Sequence, residues 1–211
     1  MSGRKLGVLG GTFDPVHLGH LIIAEEAADR LGLDVVVFVP ARDPWRKERS
    51  DIASAADRMA MVRLATRDNP RFRVSEVDLK REGPSYSVDT LDDLREQEDD
   101  AQLYFLVGYD TLMDIPHWRE PKRLMNLAHL VTVVRPGYAI DFEVLERVMP
   151  GVRHNVTLLE IPEVGISSTE VRRRIAAGKS VRYWVPEPVA EYIRQRGLYG
   201  ARDTSSGVAS P

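Results

Sequence analysis

Strand-like and helix-like stretches alternate along almost the whole chain, and this alternation limits the possible folds more than any other feature. The apolar run at residues 6–9 ends in Gly10 and Gly11, and apolar residues at helical spacing follow at Leu21, Ala24, Ala28 and Leu31. The β-branched run at residues 35–39 then ends at Pro40, which is typical of a strand covered on both faces. We therefore predict that the chain begins with a strand–helix–strand unit.

The same alternation continues to the end of the periodic sequence. Apolar runs predict strands at residues 72–77, 103–107, 130–134 and 156–161, and helical spacing predicts helices at residues 55–66, 88–95, 142–148, 169–177 and 188–195. This order predicts an α/β fold, a Rossmann-like open parallel sheet with helices on both faces. Because the sequence shows no internal repeat and no long linker, we expect one domain over residues 1–199. Residues 200–211, rich in Ser, Gly and Ala, are expected to form a disordered tail.

The charge and composition of the chain exclude several classes of function. With 29 basic and 32 acidic residues among 211, the net charge is -3, so we expect no nucleic-acid partner, and any phosphate-binding charge must be local. The chain has no cysteine, which excludes disulfides, thiolate nucleophiles and cysteine-ligated zinc. No apolar stretch is long enough for a secretory signal or a membrane span. We expect a cytoplasmic protein without a membrane partner, and a homo-oligomer is left open.

The segment GGTFDPVHLGH, residues 10–20, lies between the first predicted strand and the first helix. Ligands of open parallel sheets bind beyond the carboxyl ends of the strands, and the two glycines and the following helix N-terminus suit an anion there. His17 and His20 are three residues apart, so their rings face the same way and can converge on one anion. The alternatives are a tight turn with space-filling histidines, or a metal site, for which no third ligand is obvious nearby.

Two other segments have the chemistry of nucleotide contacts. In ISSTEVR, residues 166–172, Ser and Thr can cap a helix whose N-terminal N–H groups face an anion, with Arg172 one turn further on. Gly108 and Asp110 follow a predicted strand, where a carboxylate can bind ribose hydroxyls or help to place a metal-bound phosphate. Taken alone, these segments are also compatible with an ordinary helix cap beside solvated arginines and with Asp110 as a second cap.

The segment GGTFDPVHLGH resembles the first motif of adenylyltransferases in the nucleotidyltransferase superfamily, which carry a His-x-Gly-His signature, and residues 166–172 resemble their second ATP motif. Three further features are similar to the bacterial nicotinate-nucleotide adenylyltransferase family: the segment PSYSVDTL at residues 84–91, Trp118, and the segment RPG at residues 135–137. The resemblance extends over residues 5–199. It implies the nucleotidyltransferase fold and the transfer of AMP from ATP to nicotinate mononucleotide, which is a step of NAD biosynthesis.

The resemblance also assigns residues to the two substrates. It implies catalytic roles for His17, His20 and Arg172 at the triphosphate and the α-phosphate, with Mg²⁺ accompanying ATP and no protein-bound metal. The implied ATP contacts are Gly10, Gly11, Thr12, Phe13, His17, His20, Gly108, Asp110, Ile166, Ser168, Thr169 and Arg172. The implied mononucleotide contacts are Lys47, Tyr86, Ser87, Thr90, Trp118 and Arg135. For Trp118, packing in the core is the alternative.

One segment departs from the family pattern. Where the family usually has a Pro-Pro-His-Lys-like stretch, this chain has PWRK at residues 44–47, so it is open whether Arg46 or Lys47 binds the phosphate of the mononucleotide. Two other functions also remain open at this stage. A related adenylyltransferase or cytidylyltransferase acting on another phosphate, such as phosphopantetheine, would keep both ATP motifs without needing Trp118 or Ser87. A non-catalytic nucleotide sensor would keep the phosphate-binding segments without turnover.

Overall fold

A sheet of six parallel strands forms the centre of the computed structural model, which describes residues 3–43, 52–98, 100–134, 140–161 and 164–201. Its spatial order is β3-β2-β1-β4-β5-β6. The strands are β1 (Lys5–Gly11), β2 (Val35–Pro40), β3 (Phe72–Val74), β4 (Gln102–Gly108), β5 (His129–Val134) and β6 (Val156–Glu160). The prediction of an open parallel α/β sheet is confirmed.

The strand order reverses between β1 and β4, which pair in parallel with each other. On either side of this point the connections leave in opposite directions, so a crevice opens beyond the carboxyl ends of the two strands. β1 ends at Gly11 and β4 ends at Gly108. The topology therefore places the two predicted glycine-containing segments on the two sides of one crevice.

Helices cover both faces of the sheet. They are α1 (Leu18–Leu31), α2 (Ala55–Thr66), α3 (Val77–Lys80), α4 (Ser87–Gln97), α5 (Tyr109–Asp114), α6 (Pro121–Leu127), α7 (Phe142–Val148), α8 (Ser168–Ala176) and α9 (Glu187–Gln195). Short 3₁₀ turns lie at Ile115–His117, Val152–His154 and Leu198–Gly200. No helix among the described residues is long and apolar enough to cross a membrane.

The apolar core has two halves because side chains alternate along each strand. In β2, Val36 and Phe38 join a cluster with α1, α2, α8 and α9, whereas Val37 and Val39 join a second cluster with helices α3 to α7. Both faces of a central strand are thus buried, and this explains the continuous β-branched run at residues 35–39.

Two local predictions needed correction. The predicted strand at residues 72–77 ends at Val74, and Val77 begins the short helix α3 instead. A buried valine fits the apolar pattern of a strand and of a helix alike, so periodicity did not separate them. Helices α5 and α6 were not predicted, because α5 follows β4 with no turn between them and α6 has apolar side chains only in its C-terminal half after Pro121.

The packing of the central strands generates a stability prediction. Leu130 on β5 is 0% exposed, and Leu158 on the neighbouring edge strand β6 is 39% exposed. We expect Leu130→Ala to lower the free energy of unfolding by about 2–5 kcal/mol, because it removes buried contacts and leaves a cavity. Leu158→Ala should cost less than about 1 kcal/mol. Chemical denaturation measures both variants, and equal losses would contradict this description of the core.

Candidate active site

The two segments predicted to bind phosphate are in contact. Arg172 on α8 donates a hydrogen bond from Nη1 to the backbone carbonyl of Asp14 at 2.7 Å, and the hydroxyl of Ser168 donates to the carbonyl of Pro15 at 2.9 Å. Asp14 and Pro15 belong to the loop between β1 and α1, at the carboxyl end of β1. The fold therefore brings together two segments that are more than 150 residues apart in the sequence.

The two histidines lie together at the start of α1. Their rings are stacked, with centroids 3.7 Å apart. Nδ1 of His20 accepts a hydrogen bond from the backbone N–H of His17 at 3.2 Å, so the proton of the neutral His20 ring lies on Nε2. The ring of Phe13 packs edge-on against His20 at 5.0 Å. The orientation of the His20 ring is thus set from two sides, and its donor atom is defined.

His17 is a buried, uncharged histidine. Burial lowers its pKa to about 4, because the charged imidazolium loses its hydration there. Its Nδ1 atom is buried, and the described part of the chain supplies no hydrogen-bond partner for it. An uncharged His17 can stack on His20 without repulsion between two like charges, and it can still donate one N–H to an anion.

The glycines of the first loop serve two different purposes. A Cβ atom on Gly11 would lie 3.3 Å from the ring of Phe13, and one on Gly19 would lie 3.0 Å from Nδ1 of His17, so both make room for neighbouring side chains. A Cβ on Gly10 would make only ordinary contact, 3.7 Å from Phe105, and one on Gly108 would have no neighbour within 4 Å. The packing of described side chains therefore does not require a glycine at position 10 or 108, where the backbone is exposed at the ends of β1 and β4.

The ring of Phe13, one of the predicted ATP contacts, belongs to the apolar core. Its ring is buried and packs against Phe38 as well as His20, while its backbone has a φ of 51°. The side chain is apolar core, so only the backbone of Phe13 remains for a ligand. Thr12, the residue before it, is half-buried, and its carbonyl accepts from Arg58 at 2.8 Å.

The N-terminus of α1 is less available to an anion than predicted. The N–H of Leu18 donates to the carbonyl of Trp184 at 2.9 Å, so the segment before α9 already pairs one helix donor.

At α8, the hydroxyl of Ser167 caps the helix by accepting from the N–H of Glu170 at 3.2 Å. The predicted serine cap is thus confirmed.

The remaining ATP-segment residues have different degrees of exposure. Thr169 is exposed, Arg172 is partly exposed, and Ile166 packs against the apolar cluster beneath. On the other side of the crevice, α5 follows β4 directly, with Gly108 as its N-cap and Asp110 exposed in its first turn. A carboxylate in a first helical turn is favoured by the helix dipole, whether or not it also binds a ligand.

The predicted pyridine-site residues from two segments also come together. Tyr86 is the N-cap of α4 and Ser87 is its first residue. Arg119 lies over the ring of Tyr86, with Cζ 5.0 Å from the centroid, and forms an ion pair with Asp89 at 3.3 Å. Trp118 is the neighbour of Arg119 in the chain. The tryptophan segment is thereby held beside the start of α4.

Trp118 is half-buried, with its polar atom already paired. The indole Nε1 donates to Oδ2 of Asp114 at 2.8 Å, and the ring meets Phe105 edge-on with centroids 6.4 Å apart. Phe105 is also the neighbour that a side chain on Gly10 would touch. Trp118 therefore lies close to the crevice between β1 and β4 and also packs on the core.

Thr90 is placed differently from the other predicted mononucleotide contacts. It is 5% exposed, and its hydroxyl lies 2.6 Å from Oδ1 of Asp78 and 3.1 Å from the carbonyl of Tyr86. Burial raises the pKa of Asp78. This geometry does not favour direct contact between Thr90 and a ligand, and indicates instead that Thr90 holds the start of α4 in place. Arg46, Lys47 and Arg135 lie outside the described residues.

A buried arginine beneath the site was not predicted from the sequence. Arg58 on α2 donates to four backbone carbonyls, those of Thr12, Ala41, Arg42 and Ala53, at 2.7–3.1 Å. Its burial lowers its pKa, which the charge of Asp14 partly offsets. The signal was present in the sequence, because Arg58 shares the helical spacing of the buried residues Met61 and Val62.

This fold and site define a class of nucleotide-binding α/β proteins, and comparisons with known proteins narrow it. Residues 8–174 match the model of the cytidylyltransferase-like family. The protein of Saccharopolyspora erythraea named "probable nicotinate-nucleotide adenylyltransferase" is 46% identical over 205 residues, which cover 97% of this chain and 94% of the relative. A protein of the same name from Corynebacterium glutamicum is 46% identical over 195 residues, 92% of this chain and 88% of the relative. The chain therefore belongs to the nicotinate-nucleotide adenylyltransferase family.

Solved structures share the fold. The nicotinic acid mononucleotide adenylyltransferase of Plasmodium falciparum, complexed with NaAD, superposes with a TM-score of 0.76 at 20% identity and covers 94% of this chain and 98% of its own. The same enzyme complexed with APC gives a TM-score of 0.73. At this identity the match supports the fold alone.

The lowered pKa of His17 makes stability depend on pH. Between pH 6.5 and about pH 4, the unfolded chain binds a proton at His17 that the folded chain does not, so stability falls as the pH falls through this window. From pH 7 to pH 5 we expect a loss of about 2 kcal/mol from this group. Chemical denaturation at both pH values should show that His17→Gln removes this part of the loss, whereas His154→Gln, at an exposed position, does not. An unchanged pH dependence in His17→Gln would argue against a buried neutral ring.

Proposed function

We propose that this chain transfers the AMP part of ATP to nicotinate mononucleotide, giving deamido-NAD and pyrophosphate, as a nicotinate-nucleotide adenylyltransferase. The observation that carries the proposal is the contact between the loop after β1 and the start of α8, made by Arg172 and Ser168. This contact joins two phosphate-binding segments at the crevice where the strand order reverses. Family membership supports the same reaction.

We assign the triphosphate to the space between His20, Arg172 and the backbone near Gly10. His20 offers Nε2–H as a donor, because its Nδ1 is already occupied by the N–H of His17. Arg172 uses Nη1 on Asp14, and a guanidinium group has five N–H donors, so others can bind phosphate oxygens. These donors are fixed before ATP arrives, which is the arrangement that stabilises charge developing in a transition state.

The reaction does not need a general base. The phosphate of the mononucleotide has a second pKa near 6, so it is mostly a dianion at neutral pH. It attacks the α-phosphorus of ATP in line, a bond forms between its oxygen and that phosphorus, and pyrophosphate leaves with the electron pair of the broken bond. The residues of the site hold two anions together and spread the charge of the α-phosphate.

Mg²⁺ is expected to enter with ATP, because it neutralises charge on the triphosphate and on the leaving pyrophosphate. Among residues 3–43, 52–98, 100–134, 140–161 and 164–201, no group of three or more His, Asp or Glu side chains could hold a metal ion. We propose that phosphate oxygens and water supply most ligands of a Mg²⁺ ion bound to ATP. Asp110, exposed beyond β4, is the carboxylate that we assign to ribose hydroxyls or to the metal-bound phosphate.

We assign the pyridine ring to the space between Trp118 and the start of α4. The N-terminus of this helix, with its positive dipole end, favours a carboxylate near Ser87. The first turn also carries Asp89, whose charge would repel such a ligand, but Asp89 is paired with Arg119. This pairing supports the acid, rather than the amide, as the preferred substrate. Lys47 and Arg135 are proposed contacts of the mononucleotide on family resemblance alone.

The proposed reaction is tested by mixing the purified protein with Mg²⁺, ATP and candidate phosphates and measuring pyrophosphate. We expect turnover with nicotinate mononucleotide and none with phosphopantetheine, because Trp118 and Ser87 suit a pyridine ring. Turnover only with another phosphate would favour a related transferase. A folded protein that binds ATP without any turnover would favour the nucleotide sensor.

The same assay tests the choice between acid and amide. We expect kcat/KM for nicotinate mononucleotide to exceed that for the amide by at least about tenfold, because the amide loses hydrogen bonds made to a charged group. Ser87→Ala should narrow this preference, whereas Trp118→Ala should weaken both substrates alike, since stacking does not distinguish them. An equal or reversed preference in the unmutated protein would refute the carboxylate site but not adenylyl transfer.

His20 is expected to act mainly in the transition state. His20→Ala should lower kcat by about 10²–10³ and leave the affinity for ATP within about tenfold, because a donor aimed at developing charge contributes little to ground-state binding. Arg172→Ala should instead raise the KM for ATP. Steady-state kinetics and calorimetry separate the two effects, with exposed His154→Ala as the control. A collapse of ATP affinity with unchanged kcat would make His20 a ground-state anchor.

A further inference from the structure

Two tyrosine hydroxyls attach the C-terminal part of the chain to buried carboxylates. Tyr192 on α9 donates to Oδ1 of Asp57 at 2.8 Å, and Tyr199 in the last 3₁₀ turn donates to Oδ1 of Asp14 at 2.6 Å. Asp57 is 6% exposed and Asp14 is 1% exposed. The two pairs are chemically alike, but Asp57 lies on α2, whereas Asp14 lies in the loop between β1 and α1.

Asp14 also contacts residues at and beneath the candidate ATP site. Oδ1 also accepts from the N–H of Ala53 at 3.1 Å, and Oδ2 lies 3.6 Å from Nη1 of Arg172. The same Nη1 donates to the backbone carbonyl of Asp14 at 2.7 Å. Below the loop, the positive charge of Arg58 interacts favourably with the Asp14 carboxylate. Asp14 is thus enclosed by Tyr199, Ala53 and two arginines.

The geometry limits how Arg172 can move. A guanidinium group is planar and rigid, so fixing Nη1 on one side of the group also fixes the direction of its other N–H donors. A buried carboxylate held by two other donors is a poorly mobile partner, because any shift would leave charged or polar groups unpaired. Tyr199 supplies one of these donors, and burial raises the pKa of its hydroxyl, so it stays protonated.

We propose that Asp14 is a positioning residue for ATP: its carboxylate, held by the hydroxyl of Tyr199 and the N–H of Ala53, orients Arg172 toward the triphosphate. The inference rests on the proposed function, since it takes Arg172 as an ATP contact. According to this proposal, the turn Leu198–Gly200, which contains Tyr199, supports the ATP site through Asp14. This role requires no contact between the turn and the nucleotide.

Two tyrosine variants provide a matched test. Tyr199→Phe removes the hydroxyl that holds Asp14, and Tyr192→Phe removes the equivalent hydroxyl on Asp57, away from Arg172. We expect Tyr199→Phe to raise the KM for ATP about five- to tenfold, with the KM for nicotinate mononucleotide within about twofold. Tyr192→Phe should leave both KM values and kcat within about twofold. Denaturation measurements on both variants show whether they lose comparable stability.

Asp14→Asn is the stronger variant, because it keeps the shape of the side chain and removes its charge beside Arg172. It should lower kcat/KM for ATP about ten- to hundredfold at saturating mononucleotide. The inference is overturned if Tyr199→Phe and Tyr192→Phe have the same kinetics, or if Tyr199→Phe weakens both substrates equally.

Direct calorimetry of Mg·ATP binding separates this outcome from a failure of the proposed function. If the unmutated protein binds Mg·ATP but releases no pyrophosphate with nicotinate mononucleotide, the proposed reaction is wrong. The inference then depends only on whether Tyr199→Phe binds Mg·ATP about five- to tenfold more weakly than Tyr192→Phe. If the unmutated protein does not bind Mg·ATP at all, both proposals are wrong.

Discussion

Several backbone carbonyl groups in the loops beyond β1 and β2 lie outside the ladder of the sheet, so they need other hydrogen-bond donors. Among the described residues, guanidinium groups donate to five of these carbonyls. Arg58 on α2 donates hydrogen bonds to four backbone carbonyls, and Arg172 on α8 donates to the carbonyl of Asp14. The shape of the crevice floor therefore depends on two arginines whose positive charges also suit an anionic ligand.

The predictable parts of the fold are those that depend on patterns among residues close together in the sequence. The β-branched run at residues 35–39 and the glycine loop with its two histidines encode a buried strand and a loop at its carboxyl end without reference to the rest of the chain. Helix α5 follows β4 with no turn to separate them, and Val77 fits either type of element. Local patterns thus predicted an open parallel sheet with helices on both faces, but neither the strand order nor the connection between β4 and β5.

Within the site, the structure shows where the predicted residues lie, and two of their side chains already pack against or bond to other parts of the protein. Phe13 and Thr90 belong to segments of the family pattern. The ring of Phe13, however, is buried in the apolar core, and the hydroxyl of Thr90 donates a hydrogen bond to the carboxylate of Asp78. The contact between Tyr199 and Asp14 joins residues 185 positions apart, and no local pattern records a pairing over that distance. Such pairings depend on the final packing of helices, which single-sequence periodicity does not specify.

The hydrogen bond from Leu18 to the carbonyl of Trp184 joins the start of the first helix to the segment before the last one. During synthesis from the N-terminus, β1 and α1 emerge early, whereas Trp184 and Tyr199 are among the last described residues to be made. A nascent chain therefore contains the residues of the first strand–helix–strand unit long before these partners exist. The crevice therefore gains its final polar contacts only when translation of the described chain is nearly complete, and a prematurely terminated product lacks them.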